Sequence, residues 1–323
     1  MTSKSSIDIL YLQRNLANKN DGGSIYDRRF LEASKKLGFT TMSMPVSTIR
    51  DPGLPLWNEK PSNNEEISKI IALSKRASYI IISHERLHFL TRYLQPDLFI
   101  VHNYMPGFSF PSRPDITLAF RLGSKGVFRS IFSTSKRILL LGHRDYRLAR
   151  GDNPTANLIL EPPGIPTKHF SRTFKHNLVK RYGSNDWAPK RLSALPTKGL
   201  QNAISSAGFS LCREDVSARS FAIIEDKFLT GFKLKLLEIL FRGDVAATFC
   251  DLKEEVEWLG LSPRESLVQQ VNSTQELVRW FVRARDSGII PGDLEIQNQK
   301  EFLEQRYSWD QVTRRIYSEM GLL

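Results

Sequence analysis

Two shortages in this sequence, of cysteine and of long apolar runs, already narrow the class of protein that it encodes. Only Cys212 and Cys250 occur, and their separation matches no zinc or redox spacing, so we interpret them as small buried hydrophobic residues in a reducing compartment. No stretch reaches the roughly 18 uncharged apolar residues that a membrane-spanning helix requires. The opening MTSKSSIDILYLQ lacks the apolar region of a signal peptide. We therefore expect a cytoplasmic protein, with any membrane contact peripheral and at the inner face of the membrane.

What the chain does carry is positive charge, and that charge is concentrated in one part of the sequence. The formal net charge is +12 in 323 residues. Residues 101 to 200 hold 17 Lys and Arg against 5 Asp and Glu, a difference of +12, so the rest of the chain is balanced. Such a concentration predicts an anionic partner for this region: a nucleotide, a lipid-linked acceptor, a membrane surface or a nucleic acid.

Short apolar runs alternate with helical periodicity in the first half, which predicts βαβ units around a mainly parallel sheet. The predicted strands cover residues 7 to 12, 39 to 44, 78 to 83, 98 to 102, 137 to 141 and 157 to 160. The predicted helices cover residues 24 to 37, 64 to 76, 85 to 94, 117 to 132 and 143 to 149. This pattern is typical of a doubly wound, Rossmann-like domain. The segment EPPGIP, residues 161 to 166, ends the pattern, because adjacent prolines and a glycine set an extended path between domains.

The second half is predicted to be another α/β domain, shortened between the hinge and residue 220. The basic, turn-rich sequence of that region suggests helices at residues 169 to 182 and 198 to 206. Beyond it, strands are predicted at residues 220 to 224, 244 to 249 and 266 to 271, and helices at 231 to 242, 252 to 258 and 273 to 286. Two further helices, at residues 297 to 306 and 309 to 320, close the chain. The expected domains are residues 1 to 160 and residues 161 to 323.

The segment TGFKLKLLEILFRGDVAATF, residues 230 to 249, is the sharpest local signal for a ligand site. A helix that begins at Gly231 presents free backbone N–H groups, which stabilise a diphosphate, and Lys233 and Lys235 lie beside them. Glu238 lies two turns further on, where a carboxylate can accept the hydroxyl hydrogens of a ribose. The alternative interpretation is an ordinary surface pair of Lys235 and Glu238 on a helix whose leucines build the core.

This segment resembles the stretch Lys-x-x-x-Glu, followed by Gly, Val and Thr, in GT-B glycosyltransferases of the family-four kind. Four further segments are similar to that family and follow its order. They are DGGSIYDRRFLEASKKLGF (21 to 39), VHN (101 to 103), KRILLLGHRDYR with LEPPGIP (136 to 147 and 160 to 166), and YSWDQVTRRIY (307 to 317). The resemblance implies two Rossmann-like domains, the first on the acceptor side and the second, with its closing helices, binding the nucleotide-sugar donor.

The resemblance also implies roles for individual residues of the donor site. Glu238 would contact the donor ribose, and Thr230, Gly231 and Lys233 would line the diphosphate site. Gly22 and Gly23 would let the backbone approach the phosphates. The alternative interpretation is a structural turn before a helix that Ser24 and Asp27 cap. Lys198 is the expected second phosphate ligand. Thr230 departs from the pattern, since the family has the first of two paired glutamates there, and retaining chemistry is therefore left open.

His102 and two carboxylates are the candidates for direct work on the sugar or the acceptor. His102 follows a predicted strand at its carboxyl end, where doubly wound folds place ligands. By resemblance it contacts the sugar, and otherwise it is structural. An inverting reaction needs a base for the acceptor hydroxyl, and Asp21, Asp27, Glu85 and His102 are the candidates.

The predicted helix at residues 117 to 132 presents Arg121, Lys125 and Arg129 at intervals of four. One interpretation is a solvated basic face above a packed one. The other is a surface that meets anionic lipid headgroups or a lipid-pyrophosphate acceptor.

These observations lead us to expect a metal-independent glycosyltransferase of the cell-envelope or exopolysaccharide type, with a UDP- or GDP-sugar as donor substrate and no further cofactor. Its acceptor is expected to be a glycan or a lipid-linked molecule. A catalytically degenerate GT-B protein that binds a sugar nucleotide or a partner is the alternative. A basic nucleic-acid-binding protein is disfavoured, because the sequence has no aromatic RNA-binding signature, zinc spacing or helix-turn-helix pattern.

Overall fold

The structure, a computed structural model, describes residues 7–15, 22–50, 59–109, 114–165, 170–182, 197–212, 217–226, 231–261 and 267–323. Two large parallel sheets organise it, one in each half of the chain, and we refer to these as the N-terminal and C-terminal halves. The sheets change between Leu160 and Ser171, on either side of the proline-rich segment. No described helix combines the length and the apolar composition that are needed to cross a bilayer.

The N-terminal half contains twelve α-helices and strands in the described residues. They are β1 (Ile7–Arg14), α1 (Gly22–Lys36), β2 (Thr41–Val46), β3 (Thr48–Arg50), β4 (Glu59–Pro61), α2 (Asn64–Ser74), β5 (Ala77–Ser83), β6 (Leu98–Val101), α3 (Pro114–Thr134), β7 (Ile138–Leu140), α4 (His143–Asp152) and β8 (Leu158–Leu160). Six of the strands form a parallel sheet in the order β2-β1-β5-β6-β7-β8, while β3 and β4 pair with each other as an antiparallel ribbon. The residues of β6 are all buried, as expected for a parallel strand that is covered on both faces.

The C-terminal half is built in the same way. It contains β9 (Ser171–Tyr182), α5 (Thr197–Ser206), β10 (Ser210–Cys212), β11 (Ala218–Ile224), α6 (Leu234–Arg242), β12 (Val245–Thr248), α7 (Lys253–Trp258), β13 (Val268–Gln270), α8 (Thr274–Asp286), α9 (Asp293–Tyr307) and α10 (Trp309–Met320). Its five strands are parallel in the order β10-β9-β11-β12-β13. The chain is therefore an α/β protein with two Rossmann-like sheets and a helical end, as the sequence predicts.

Two predicted helices have a different structure. Residues 169 to 182, predicted to be a helix, contain the strand β9, which pairs with β10 on one side and β11 on the other. Its basic residues favour a solvated segment in sequence-based prediction. In the structure, however, Lys180 is buried, and its ammonium group donates to the Ala218 carbonyl at 2.5 Å beside the Asp244 carboxylate. The segment Glu85–Arg92 is a 3-10 helix rather than an α-helix.

The last helix, α10, returns from the C-terminal half to pack on α1. The Tyr317 hydroxyl donates to Ser34 Oγ at 2.7 Å, and the Tyr317 ring lies 5.6 Å from the Phe30 ring. Trp309 lies against Gly164 so closely that an added Cβ on the glycine would be 2.5 Å from the indole. One apolar cluster consequently joins the halves, and it includes Tyr26, Phe30, Leu236, Leu237 and Trp309.

Candidate functional site

The candidate site lies where the carboxyl ends of the first sheet meet the beginning of α6. Gly231, three residues before α6, has a φ of 60°, and its N–H donates to Asp145 Oδ2 at 2.9 Å. A Cβ at Gly231 would be 2.6 Å from Asn103 Oδ1 and would also collide with the His102 carbonyl oxygen. The halves are thus in direct contact at the position predicted for the diphosphate.

Two carboxylates, Asp145 and Glu255, hold the halves together, because each accepts backbone N–H hydrogens from the opposite half. Asp145 belongs to α4 of the N-terminal half and accepts N–H hydrogens from Tyr104 and from Gly231 of the other half, each at 2.9 Å. Glu255 belongs to α7 of the C-terminal half and accepts from the first amides of α4, at 3.0 Å from His143 N and 3.2 Å from Arg144 N. We call Asp145 and Glu255 the junction carboxylates.

Both junction carboxylates are buried, and burial controls their protonation. Asp145 is 4% exposed and Glu255 is 6% exposed. Burial raises the pKa of Glu255 to about 7, against the lowering effect of the His143 and Arg144 amides, and the charges of Asp145 and Glu254 add to the increase. Burial also raises the pKa of Asp145 above its ordinary value. Glu255 therefore changes its charge close to neutral pH.

Near the start of α6, the residues predicted to bind the nucleotide sugar form ion pairs within the protein. The helix begins at Leu234 rather than at Gly231, and Lys233 occupies its N-cap position. The Lys233 ammonium group lies 3.0 Å from Asp226 Oδ2, and both side chains are nearly buried. Glu238 is 27% exposed and pairs at 2.9 Å with Arg242, which is fully buried and lies 4.0 Å above the Phe170 ring. Lys235 is partly exposed on the same helix.

Gly22, one of the two predicted phosphate-loop glycines, lies against the start of α6. Helix α1 begins at Gly22, and an added Cβ there would be 3.0 Å from the Leu234 side chain at the start of α6. Gly23 lies in the first turn, and Ser24 is inside the helix rather than at its cap. Two predicted phosphate elements from different halves thus touch. Asp21 and Thr230 lie outside the described residues, and of Lys198 only the helical backbone is described.

His102 and Asp27 lie in a buried chain of hydrogen bonds between the ends of β1, β5 and β6. Tyr11 Oη and Ser83 Oγ each donate to Asp27 Oδ1 at 2.6 Å. His102 Nε2 is 3.0 Å from Ser83 Oγ and 4.0 Å from Asp27 Oδ1. The imidazole stacks on the ring of His84 at 5.2 Å. Burial, and then the charge of Arg14, lower the pKa of His102 to about 4, so the ring is neutral at pH 7.

Glu85 holds the loop that carries His102. It is 1% exposed, and its carboxylate accepts from the backbone amides of His102 at 3.1 Å and Asn103 at 3.4 Å, and from the Asn103 side chain at 3.1 Å. Burial raises the pKa of Glu85. Both of its oxygens are therefore engaged by this loop.

The basic face of α3 is separate from this junction. Arg121, Lys125 and Arg129 are all exposed, as predicted for one face of the helix. Leu118 and Leu122 share that face and are 57% and 66% exposed. The helix packs on two 3-10 helices, Glu85–Arg92 after β5 and Met105–Gly107 after β6.

Sequence reasoning missed four residues of the candidate site. These are Tyr11, Ser83, Asp145 and Glu255. Asp145 carried a weak signal, because an acidic residue in the first turn of a helix is favoured there, but Glu255 is 112 residues away from the amide that it caps. Two shallow depressions on the outer side of the C-terminal half, next to α5 and next to β13, lie away from the junction.

Comparison with known proteins supports the class that the fold defines. No protein-family model matches the chain, and no curated protein matches its sequence. Among solved structures, sucrose-phosphate synthase from Thermosynechococcus elongatus is similar with a TM-score of 0.64 and 12% identity over 96% of this chain and 98% of that one. WaaG, a glycosyltransferase involved in lipopolysaccharide biosynthesis, is similar with a TM-score of 0.56 and 10% identity over 97% and 99% of the chains. Anabaena HepE, solved with UDP-glucose, has a TM-score of 0.57 and 9% identity over 98% and 100%. The chain has the fold of the GT-B glycosyltransferases.

Proposed function

We propose that the protein is a glycosyltransferase that moves a sugar from a UDP- or GDP-sugar to a glycan or lipid-linked acceptor. The observation that carries this proposal is the meeting of three elements: the start of α6, the start of α1 at Gly22, and the loop of His102. They lie between two Rossmann-like sheets, at the strand ends where such folds bind ligands. The similar HepE structure contains UDP-glucose, and a similar TarM structure contains α-GlcNAc-glycerol and UDP.

We assign the acceptor side to residues 1 to 160 and the donor side, with its closing helices, to residues 161 to 323. The diphosphate would bind the Gly231 amide with Lys233 and Lys235, and Glu238 would accept the ribose hydroxyl hydrogens. Thr230 and Lys198 remain proposed phosphate ligands by resemblance. Since Asp145 occupies the Gly231 amide at 2.9 Å, the diphosphate has to displace this carboxylate, and the halves have to separate there.

The reaction would proceed without a metal ion. A nucleoside diphosphate leaves with new negative charge, which helix amides and lysines stabilise. His102 and Asp27 are the proposed groups at the reacting sugar, while Glu85 holds the loop on which His102 lies. Turnover that is unchanged by EDTA supports this part of the proposal, and turnover abolished by EDTA and restored by a divalent cation contradicts it.

The donor site is tested by calorimetric titration with UDP, GDP and a panel of sugar nucleotides. We expect Glu238→Ala to weaken binding of the preferred nucleotide at least tenfold, because it removes the ribose acceptor. Glu304→Ala, which removes an exposed carboxylate on α9, is the matched control and is expected to have no effect. Equal affinity in all three proteins rejects the site. Binding without hydrolysis or transfer of any donor favours the degenerate alternative.

The acceptor surface is proposed to include the basic face of α3. Arg121, Lys125 and Arg129 supply positive charge, and the exposed Leu118 and Leu122 supply apolar area on the same face. This combination suits a membrane surface with anionic headgroups. We therefore propose that the protein is cytoplasmic and acts peripherally at the inner face of the membrane.

A further inference from the structure

The hydrogen-bond chain below His102 determines which of its two ring nitrogens carries the proton. Ser83 Oγ has one hydrogen, and two acceptors compete for it: Asp27 Oδ1 at 2.6 Å and His102 Nε2 at 3.0 Å. The bond to the carboxylate is shorter and charge-assisted, and such bonds are about twice as strong as neutral ones. Ser83 therefore donates to Asp27, and the contact with His102 has to be an Nε2–H that donates to Ser83.

The Asp27 carboxylate supports the same assignment in a second way. Its Oδ1 lies 4.0 Å from His102 Nε2, and a negative charge there favours a proton on Nε2. Tyr11 gives its own hydroxyl hydrogen to the same oxygen at 2.6 Å, so this carboxylate oxygen already accepts two hydrogen bonds. The ring is neutral near pH 7, because its pKa is about 4, and it has only one proton to place.

We propose that Ser83 is a positioning residue: with Asp27 it fixes His102 as the Nε2–H tautomer, so that a proton-free Nδ1 accepts a hydroxyl hydrogen from the bound sugar. The sugar contact rests on the proposed glycosyltransferase function, whereas the tautomer does not. Within the described part of the chain, the one hydrogen bond of the His102 ring is that of Nε2 with Ser83, so Nδ1 is not engaged by another described residue. Because the ring stays neutral across the physiological range, His102 acts as a hydrogen-bond acceptor for the sugar rather than as a proton carrier.

The tautomer is measured by nitrogen-15 NMR of the histidine rings in the full chain, with the His102 signals assigned by their loss in His102→Gln. We expect the wild type to be Nε2–H. Ser83→Ala removes the acceptor and is expected to give a mixture of tautomers, and Ser83→Thr, which keeps the hydroxyl, is expected to restore Nε2–H. Ser124→Ala is the matched control, because Ser124 is also fully buried but donates only to the Phe120 carbonyl.

Asp27→Asn provides a second route if Ser83→Ala does not fold. Its amide can donate to Ser83, which frees the Ser83 hydrogen for Nε2, and the tautomer is expected to shift towards Nδ1–H. A wild-type ring in the Nδ1–H form, or a tautomer that is unchanged in both Ser83→Ala and Asp27→Asn, overturns the proposal.

The sugar contact is tested in the same samples by adding UDP-glucose and GDP-mannose, with calorimetry to detect binding. A bound donor is expected to shift the Nδ1 signal of the wild type, and nucleoside diphosphate alone is expected to leave it unchanged. Binding of a donor with no shift at Nδ1 overturns the sugar contact. If no sugar nucleotide binds, the proposed function and the sugar contact both fail, while the tautomer result stands by itself.

Discussion

The backbone at Gly231 meets two separate requirements. Its φ of 60° lies in the left-handed region, which costs residues other than glycine about 1 kcal/mol or more. Its missing side chain also leaves room for the His102 carbonyl and the Asn103 side chain of the N-terminal half. The residue therefore combines a turn before α6 with close contact between the halves.

Gly231→Ala is expected to lower the free energy of unfolding by about 2 to 3 kcal/mol, measured by urea denaturation. Gly288→Ala is the matched control, because Gly288 has a φ of 65° but no atom within 4 Å of an added Cβ. Gly288→Ala is expected to lower the free energy of unfolding only by the cost of the left-handed backbone conformation, about 1 kcal/mol. Equal losses at the two positions would show that the contact with the His102 loop contributes nothing to stability.

Among the elements, α3 has the clearest division between a packed face and an exposed one. Phe120, Val127 and Ile131 are buried, whereas Leu118 and Leu122 are exposed on the same face as the three basic residues. These two leucines add apolar area to the basic face. Their presence is the reason for preferring a membrane surface over solvent as the partner of this face.

Replacing Arg121, Lys125 and Arg129 together by glutamine is expected to reduce binding to vesicles containing phosphatidylserine at least tenfold. Each cation near an anionic surface contributes about 1 kcal/mol to the binding free energy, so the loss of affinity is large. Added salt screens these charges and makes the difference between the two proteins smaller. The matched control replaces Lys69, Lys75 and Arg76, three exposed bases in and after α2, and removes the same charge. Vesicle sedimentation that is equally weak for both triple variants would indicate a general charge effect and contradict a specific role for α3.

The elements show how far the sequence predicts this fold. Apolar runs such as that of β6 predict the strands of the N-terminal half, because buried parallel strands are continuously hydrophobic. Strand β9 was missed, since its lysines are typical of a solvated segment, and the partners that make the burial of Lys180 acceptable, the Ala218 carbonyl and the Asp244 carboxylate, are distant in sequence. The start of α6 was predicted as an anion site, but the residue that caps Gly231 is 86 positions away. Such contacts follow from the packing of the halves and leave no local pattern.

At the scale of the whole molecule, the junction carboxylates hold the two halves in contact, and the proposed donor site would couple this contact to ligand binding. Asp145 and Glu255 each occupy backbone amides of the opposite half, and an outer pair of Arg147 and Glu254 adds two bonds at 3.0 and 3.3 Å. A diphosphate at the Gly231 amide would replace Asp145. If the sugar nucleotide binds there as proposed, contact between the halves and nucleotide binding would compete for the Gly231 amide.

The equilibrium between a closed form, in which the halves are in contact, and an open form, in which they are separated, is expected to depend on pH through Glu255. In an open form this carboxyl group would be solvated with an ordinary pKa near 4.5, whereas the closed form raises it to about 7. The closed form thus binds the proton more tightly, and closure becomes less favourable as pH rises from 4.5 to 7, by up to about 3 kcal/mol. Above that window Glu255 contributes no further change. The raised pKa of Asp145 acts in the same direction.

Small-angle X-ray scattering of the full chain is expected to show a larger radius of gyration at about pH 8 than at about pH 5, because the ionised Glu255 destabilises the closed form. Glu255→Gln keeps the shape without the charge and is expected to remain compact at both values, with only the weaker dependence of Asp145 left. Glu257→Gln, at an exposed position of the same helix, is expected to behave like the wild type. A radius that does not change with pH in the wild type, or that changes equally in Glu255→Gln, would show that the halves stay closed whatever the charge of Glu255. The donor would then have to enter without displacing Asp145, and the diphosphate site would have to lie away from the Gly231 amide.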